Sequence, residues 1–228
     1  MAVGKKVGQI SGKIPNPNDP KVAATFISPP NLQTEGFHIV GTTPMLHSRF
    51  GELSLGKMRN DMALGTTEKK KANKVKPPRN FDAQFEESSH KMEGGGWGIP
   101  CSAFRAAMIR ACSLTDVAMT VAKMSLFVQA DGRGLDGTPL VRMETKAPVK
   151  REMYVSPNGN TDIRVRSEFP PGWKATVRIR FDADQLKRED VGRLMMRVGM
   201  QMGIMSGRSY VHGSTGSGLG YGHFELAK

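Results

Sequence analysis

Cysteines, aromatic residues, acidic residues and long apolar runs are all scarce in this 228-residue chain, and each shortage excludes something. The two cysteines, Cys101 and Cys112, fall in one expected helix. At ~1.5 Å rise per residue they stand too far apart for a disulfide. Neither belongs to a CxxC pair or has a histidine pair nearby, so no zinc site is expected. They read as reduced, buried thiols of a cytoplasmic protein. No stretch approaches the ~18–20 apolar residues of a membrane helix. Met1–Pro20 lacks the apolar core of a signal peptide, so neither membrane insertion nor secretion is expected.

Aromatic residues make up only 7% of the chain, which leaves few platforms for base stacking. The apolar fraction, 38%, is below the roughly 45–50% typical of globular domains. In its place stand 26 Gly and 14 Pro, which predict many loops. Acids are outnumbered, 21 against 33 Lys and Arg, for a formal net charge of +12. Such an excess points to a polyanionic partner, provided that the cations gather on particular surfaces.

Residues 1–34 read as an extended arm broken by prolines, and 35–228 as one domain. Its first strand is expected over Gly36–His47, with Phe37, Ile39 and Gly41 on one side, His38, Val40 and Thr42 on the other, and Pro44 ending or bending it. Residues 51–96 form a long insertion with eight basic and two acidic residues between Lys57 and Asn80, including Lys69, Lys70 and Lys71. A loop of this length predicts a mobile basic flap. A helix is expected from Cys101 to Leu114, with Pro100 at its entrance, Ser102 helping to cap it and an apolar face of Phe104, Ala107, Met108 and Ala111. Val121–Ala130 reads as a central strand.

Residues 131–171 read as inserted hairpins, with Asn158–Gly159 as a turn signal. Trp173–Phe181 alternates cleanly. Trp173, Ala175, Val177, Ile179 and Phe181 make the buried side, and Lys174, Thr176, Arg178 and Arg180 the outer one. A second helix is expected over Gln185–Met202 with Asp184 as cap, followed by a glycine-rich loop and a last strand, Tyr221–Leu226. The methionines gathered around Met195–Met205 are expected to fill the core. This order of elements predicts an α+β fold with a ferredoxin-like βαββαβ core.

Two segments carry a resemblance. GWGIPCSAFRAAMIRAC, residues 96–112, opens the first helix, and GIMSGRSYVHGSTGSGLGYGHFEL, residues 203–226, closes the chain. Together they resemble the RAMP (repeat-associated mysterious protein) superfamily, the RRM-like backbone subunits of CRISPR effector complexes, and related proteins of phages and mobile elements. Ile99, Pro100, Ser102, Phe104 and Arg105 match an "IPGSSLKG-ALR"-like stretch; Gly218, Gly220, Gly222 and Phe224 match the glycine loop and the strand after it. Cys101 departs from the family's Gly, and Phe104 from its Leu. The resemblance implies subunits stacked along a single nucleic-acid strand, with an inserted hairpin thumb touching its backbone. Some family members cut RNA with an Asp after the first strand. Here the loop Pro44–Arg49 has none, and the expectation is a binding protein, not an enzyme.

Candidate contacts follow from the residues themselves. Glycines at Gly218 and Gly220 let backbone N–H groups approach phosphates, with Arg208, His212 and Tyr221 nearby. On strands, Arg164, Arg166, Lys174, Arg178 and Arg180 stand at ~6.6–7 Å intervals, comparable with successive phosphates of an extended strand. Arg105 and Lys69, Lys70 and Lys71 complete the set. Tyr154, Tyr210 and Tyr221 are the aromatic residues left for stacking. His47 beside Ser48 has no third group to activate it. The expected function is sequence-tolerant binding of single-stranded RNA or DNA by a homo-oligomer in a bacterial cytoplasm, alone or among other ribonucleoprotein subunits. No cofactor, metal or membrane is expected. The competing expectation is a viral assembly protein whose arm and insertions make subunit contacts.

Overall fold

Alternation of apolar and polar residues along β1 (Leu32–Gly41) and β9 (Lys174–Asp182) sets the frame of the molecule. The computed structural model describes residues 28–63, 78–155, 162–209 and 218–227. The chain divides into two units, Met1–Pro30 and Asn31–Lys228, and every element described belongs to the second. β1 and β9 run antiparallel from the pair Leu32/Asp182 to Val40/Lys174. This register puts Ile39, Ala175, Val177, Ile179 and Phe181 on one face, all buried, and leaves Lys174, Arg178 and Arg180 exposed on the other. The even-numbered cations and odd-numbered apolar residues of β9 lie where the period of two predicts.

After Gly41 the chain turns at Thr42–Pro44 and enters β2 (Met45–His47) in a different sheet. Gly41 is required there, because a Cβ would lie 2.1 Å from the Trp173 ring. The indole instead packs against Gly41 and donates from Nε1 to the Thr43 carbonyl at 3.0 Å. Next come α1 (Glu52–Ala63), α2 (Phe81–Ser88), β3 (Trp97–Pro100) and α3 (Cys101–Ala111), the last extended by a 3-10 turn, Cys112–Leu114. α4 (Met119–Ser125) leads into β4 (Leu126–Val128), then β5 (Gly132–Arg133), β6 (Pro139–Glu144), β7 (Val149–Val155) and β8 (Asp162–Phe169). After β9 come α5 (Arg188–Arg197), a π-helical turn, Val198–Met202, and β10 (Phe224–Leu226).

The large sheet has the order β10-β1-β9-β6-β3, all antiparallel; β4 pairs with β9 at Ile179–Phe181 in line with β6, and β5 with β6. β2, β8 and β7 form the small sheet. α3 and α5 cover the apolar face of the large sheet with Phe104, Met108, Val191, Leu194 and Met195. Phe104 and Trp173 both meet Phe224 edge-on, at 6.3 and 6.1 Å between centroids. Truncating a buried aromatic of this kind costs about 3–5 kcal/mol. The methionines divide, with Met195 and Met202 filling the core and Met196 and Met200 exposed. Both cysteines are buried and unbridged, and burial pushes both thiols up.

The architecture is α+β with antiparallel sheets, as expected, and Pro44 breaks the first strand. Other boundaries differ. The 51–96 insertion is not structureless over its described part: it holds α1 and α2, the latter capped by Asn80, whose Oδ1 accepts from Ala83 N–H. Val121–Ala130 is not one strand; it is helical to Ser125 and extended only from Leu126 to Val128. Ser102 does not cap α3, whose N-cap is Pro100 with no side-chain bond. The second helix starts at Arg188 after a turn in which Asp182 Oδ1 accepts from Asp184 N–H, so Asp184 is not its cap. Tyr221 precedes the last strand and bridges to Arg208 instead. The Asn158–Gly159 turn and the arm lie outside the described residues.

Candidate nucleic-acid interface

Because α3 and α5 cover one face of the large sheet, the cations of β9 stand on the other. There, Lys174 faces Val40 and Glu144, Thr176 faces His38, and Arg180 faces Thr34 and Phe127. His38 Nδ1 and Thr176 Oγ1 are 3.0 Å apart, a hydrogen bond across the strand pair. Arg178 forms an ion pair with Asp131, whose other oxygen accepts from Arg142 N–H. Two guanidinium groups stand over the Phe127 ring, Arg180 at 5.6 Å and Arg105 at 5.7 Å from its centroid. Arg105 is otherwise engaged internally, donating from Nε to the Leu126 carbonyl at 2.8 Å and from Nη2 to that of Lys123. These bonds tie α3 to the C-terminal end of α4 and the start of β4.

A second basic region lies at the feet of the glycine loop. Gly218 N–H donates to Ser209 O, Leu219 and Tyr221 N–H to Gly207 O, and Gly222 N–H to Pro44 O. Gly220 and Gly222 have positive φ, 75° and 73°, and a Cβ on Gly222 would strike the Ile204 carbonyl. Beside these feet opens a cavity of about 660 Å³ between α3 and the Met202–Arg208 segment. Arg110 and Arg208 are its cations; Ser48, Ser102 and Ser206 bring hydroxyls, and Ala103, Ala106 and Met205 give apolar wall. Arg208 Nη1 donates to Met205 O at 3.0 Å.

β8 connects to the same region. Arg166 does not stand outward in a row with Arg164. Its Nη1 donates to Ser206 Oγ, and its Nε is buried without a partner among the described residues. Burial, and then the neighbouring Arg164, lower its pKa. Arg164 is exposed, 3.8 Å from Asp162. One strand over, Arg151 grips Glu168 with both arms of its fork, at 2.7 and 2.8 Å, and Tyr221 Oη donates to the same carboxylate at 3.2 Å. The Arg151 hydrogen bonds hold the Glu168 carboxyl below its ordinary range. Tyr221 is therefore turned inward, and its hydroxyl is pushed up by burial and by Glu168. Tyr154, 81% exposed, is the described tyrosine that offers a ring to solvent.

His47 is fully buried beside Phe169, at 4.5 Å between centroids, and its Nδ1 accepts from His90 N–H at 3.3 Å. Ser48 is exposed and makes no pair with it. Burial lowers the pKa of His47, and His90 adds to the effect; burial also lowers that of His90, against Asp136. Arg49 donates to Asp136 at 2.8 Å and, together with Thr138, outweighs burial to hold that carboxyl well below its usual range.

The expected contacts thus sort into two groups. Lys174, Arg178 and Arg180 share one open face; Arg166, Arg208, Gly218, Gly220 and Tyr221 meet around the glycine loop; Arg164 is exposed apart from both. Lys69, Lys70, Lys71, His212 and Tyr210 lie outside the described residues. Sequence reasoning missed Arg110 and Ser48. Ser102, Ala106 and Arg110 recur every four residues along α3, a spacing that puts them on one helix face and marks them in the sequence. Among the described residues no three His, Cys, Asp or Glu side chains converge as metal ligands, and no helix is long and apolar enough to cross a membrane. Compared with protein-family models and with curated proteins, the sequence matches none.

Proposed function

We propose that the chain binds single-stranded nucleic acid through its phosphates and assembles along the strand as a RAMP-like protein. The observation that carries this reading is the open face of the large sheet, where Lys174, Arg178 and Arg180 stand in one row while both covering helices occupy the other face. The path β1–α3–β4–β9–α5–β10, with β10-β1-β9-β4 adjacent in that order and antiparallel, supports a ferredoxin-like βαββαβ core. The paired strands β7 and β8, with Tyr154 and Arg164 exposed on them, support an inserted thumb. Asp131 and Glu144 offset part of the row's charge, and Phe127 is the aromatic nearest to it. Such a surface favours backbone contact over base reading, with RNA and DNA both accepted.

Fluorescence anisotropy with labelled oligonucleotides tests the reading. Affinity should fall steeply with salt, with a log–log slope of about −0.7 per phosphate neutralised. The double variant R178A/R180A should bind at least tenfold more weakly, with a slope shallower by about 1.4. A flat salt response, unchanged affinity in that variant, or equal affinity for duplex and single strand overturns it. The exposed Met196 and Met200, beside Arg193 and Arg197 on α5, favour a second reading as an assembly protein. Oligomers that form without nucleic acid and survive R178A/R180A would support that one instead.

A further inference from the structure

We infer that the cavity between α3 and the Met202–Arg208 segment is a nucleotide pocket, in which Arg110 and Arg208 hold a phosphate and the alanine and methionine wall takes the base. It rests on the strand-binding reading for the source of its ligand, a nucleotide unit turned out of the strand. At about 660 Å³ the cavity lies within the ~300–1,000 Å³ of small-ligand sites. Among the described residues, its lining contains two arginines and three serines but no carboxylate. Cationic and hydroxyl donors without an acid select an anion, and guanidinium groups suit the planar, bidentate recognition of phosphate.

The Arg110 guanidinium has no ion-pair partner among the described residues, although acids lie within reach of many other arginines of the chain. Arg208 comes to the same cavity from the foot of the glycine loop, so two separate elements converge on one volume. A bare phosphate site would not need the rest of the wall. Ala103, Ala106 and Ala107 give an apolar strip along α3, and Met202, Ile204 and Met205 line the same cavity, a wall whose polarity suits a base ring. His90 also lines the cavity, and its Nδ1 is buried with no partner among the described residues. The pocket is distinct from the row on β9, whose side chains stand on the opposite face of the sheet.

Equilibrium dialysis with radiolabelled AMP and UMP, and with inorganic phosphate, measures the pocket directly. One nucleoside monophosphate should bind per chain, more tightly than phosphate. R110A and A106F should each weaken it at least tenfold while keeping the wild-type circular dichroism and melting temperature. A106F, at an exposed helix position, fills the base site and leaves the arginines in place. With a labelled oligonucleotide, R110A should shift the salt slope by about 0.7 and leave R178A/R180A to act independently. Failure of AMP and UMP to bind, phosphate binding equal to theirs, or binding unchanged in both variants overturns the pocket. If that happens while R178A/R180A still abolishes oligonucleotide binding, the strand reading stands alone. If monophosphates bind and A106F blocks them while no oligonucleotide binds at any salt, the pocket stands as a site for free nucleotides and the strand reading falls.

Discussion

His47 and His90 bring a titration into the interior. Both have pKa values lowered chiefly by burial, so the folded chain takes up fewer protons than the unfolded chain below about pH 6.5. Stability is therefore complete above the unfolded value and falls as the pH drops below it, toward the depressed folded values. The charged groups facing the pair, Asp136 and Arg49, are already bound to each other and supply no free counter-charge for a new imidazolium. Thermal melting should show a drop in Tm between pH 7.5 and 5.5. H47N keeps an acceptor where Nδ1 stands and removes the more deeply buried ring, so its Tm should change less over that interval. An equal drop in the variant would place the titration elsewhere. None of this is visible in the sequence, where the two histidines lie 43 residues apart. Only the pairing of β2 with β8, and the return of the chain to His90 after α2, bring them together.

At the scale of elements, α4 shows why a short apolar run misleads. VAKMSLFVQA reads equally as a strand or a buried helix by periodicity. The composition within it is less neutral: Ala122, Lys123 and Met124 favour helix, and Phe127 and Val128 favour strand. The observed boundary falls between them, where Arg105 ties the carbonyls of Lys123 in α4 and of Leu126 at the start of β4. R105A removes donors to two carbonyls and should cost about 1.5–3 kcal/mol in urea unfolding while leaving oligonucleotide affinity within twofold. A strong loss of affinity with unchanged stability would return Arg105 to the interface. β9 and α3, by contrast, were legible residue by residue, because each carries its full period over nine or more positions. α2 was missed, because the basic run before it read as a loop, although Asn80 and Asp82 stand where a cap and a first-turn acid belong. Of the candidate site, the β9 row was legible. The cavity was not, since much of its wall comes from Met202–Arg208, about a hundred residues beyond α3 along the chain.

The whole molecule joins its two sheets through shared aromatic packing. Phe169 of the small sheet meets Trp97 of the large one at 5.7 Å, and Met45 and Phe169 belong to the same core cluster as Trp173. The chain also passes between the sheets four times, from β1 to β2, β2 to β3, β6 to β7 and β8 to β9. Unfolding should therefore be cooperative, with tryptophan fluorescence and far-ultraviolet circular dichroism giving coincident urea transitions. Two separated transitions would mean that the small sheet holds together, or comes apart, on its own.

The two sulfhydryls of α3 make the interior self-reporting. Cys101 and Cys112 sit at the two ends of that helix, buried and with their reactive thiolate form disfavoured. A thiol reagent can reach them only when α3 lifts from the large sheet. The rate of modification under native conditions therefore counts opening events of that helix, and a ligand clamped against its Ser102–Arg110 face should slow the count at Cys101 and Cys112 together.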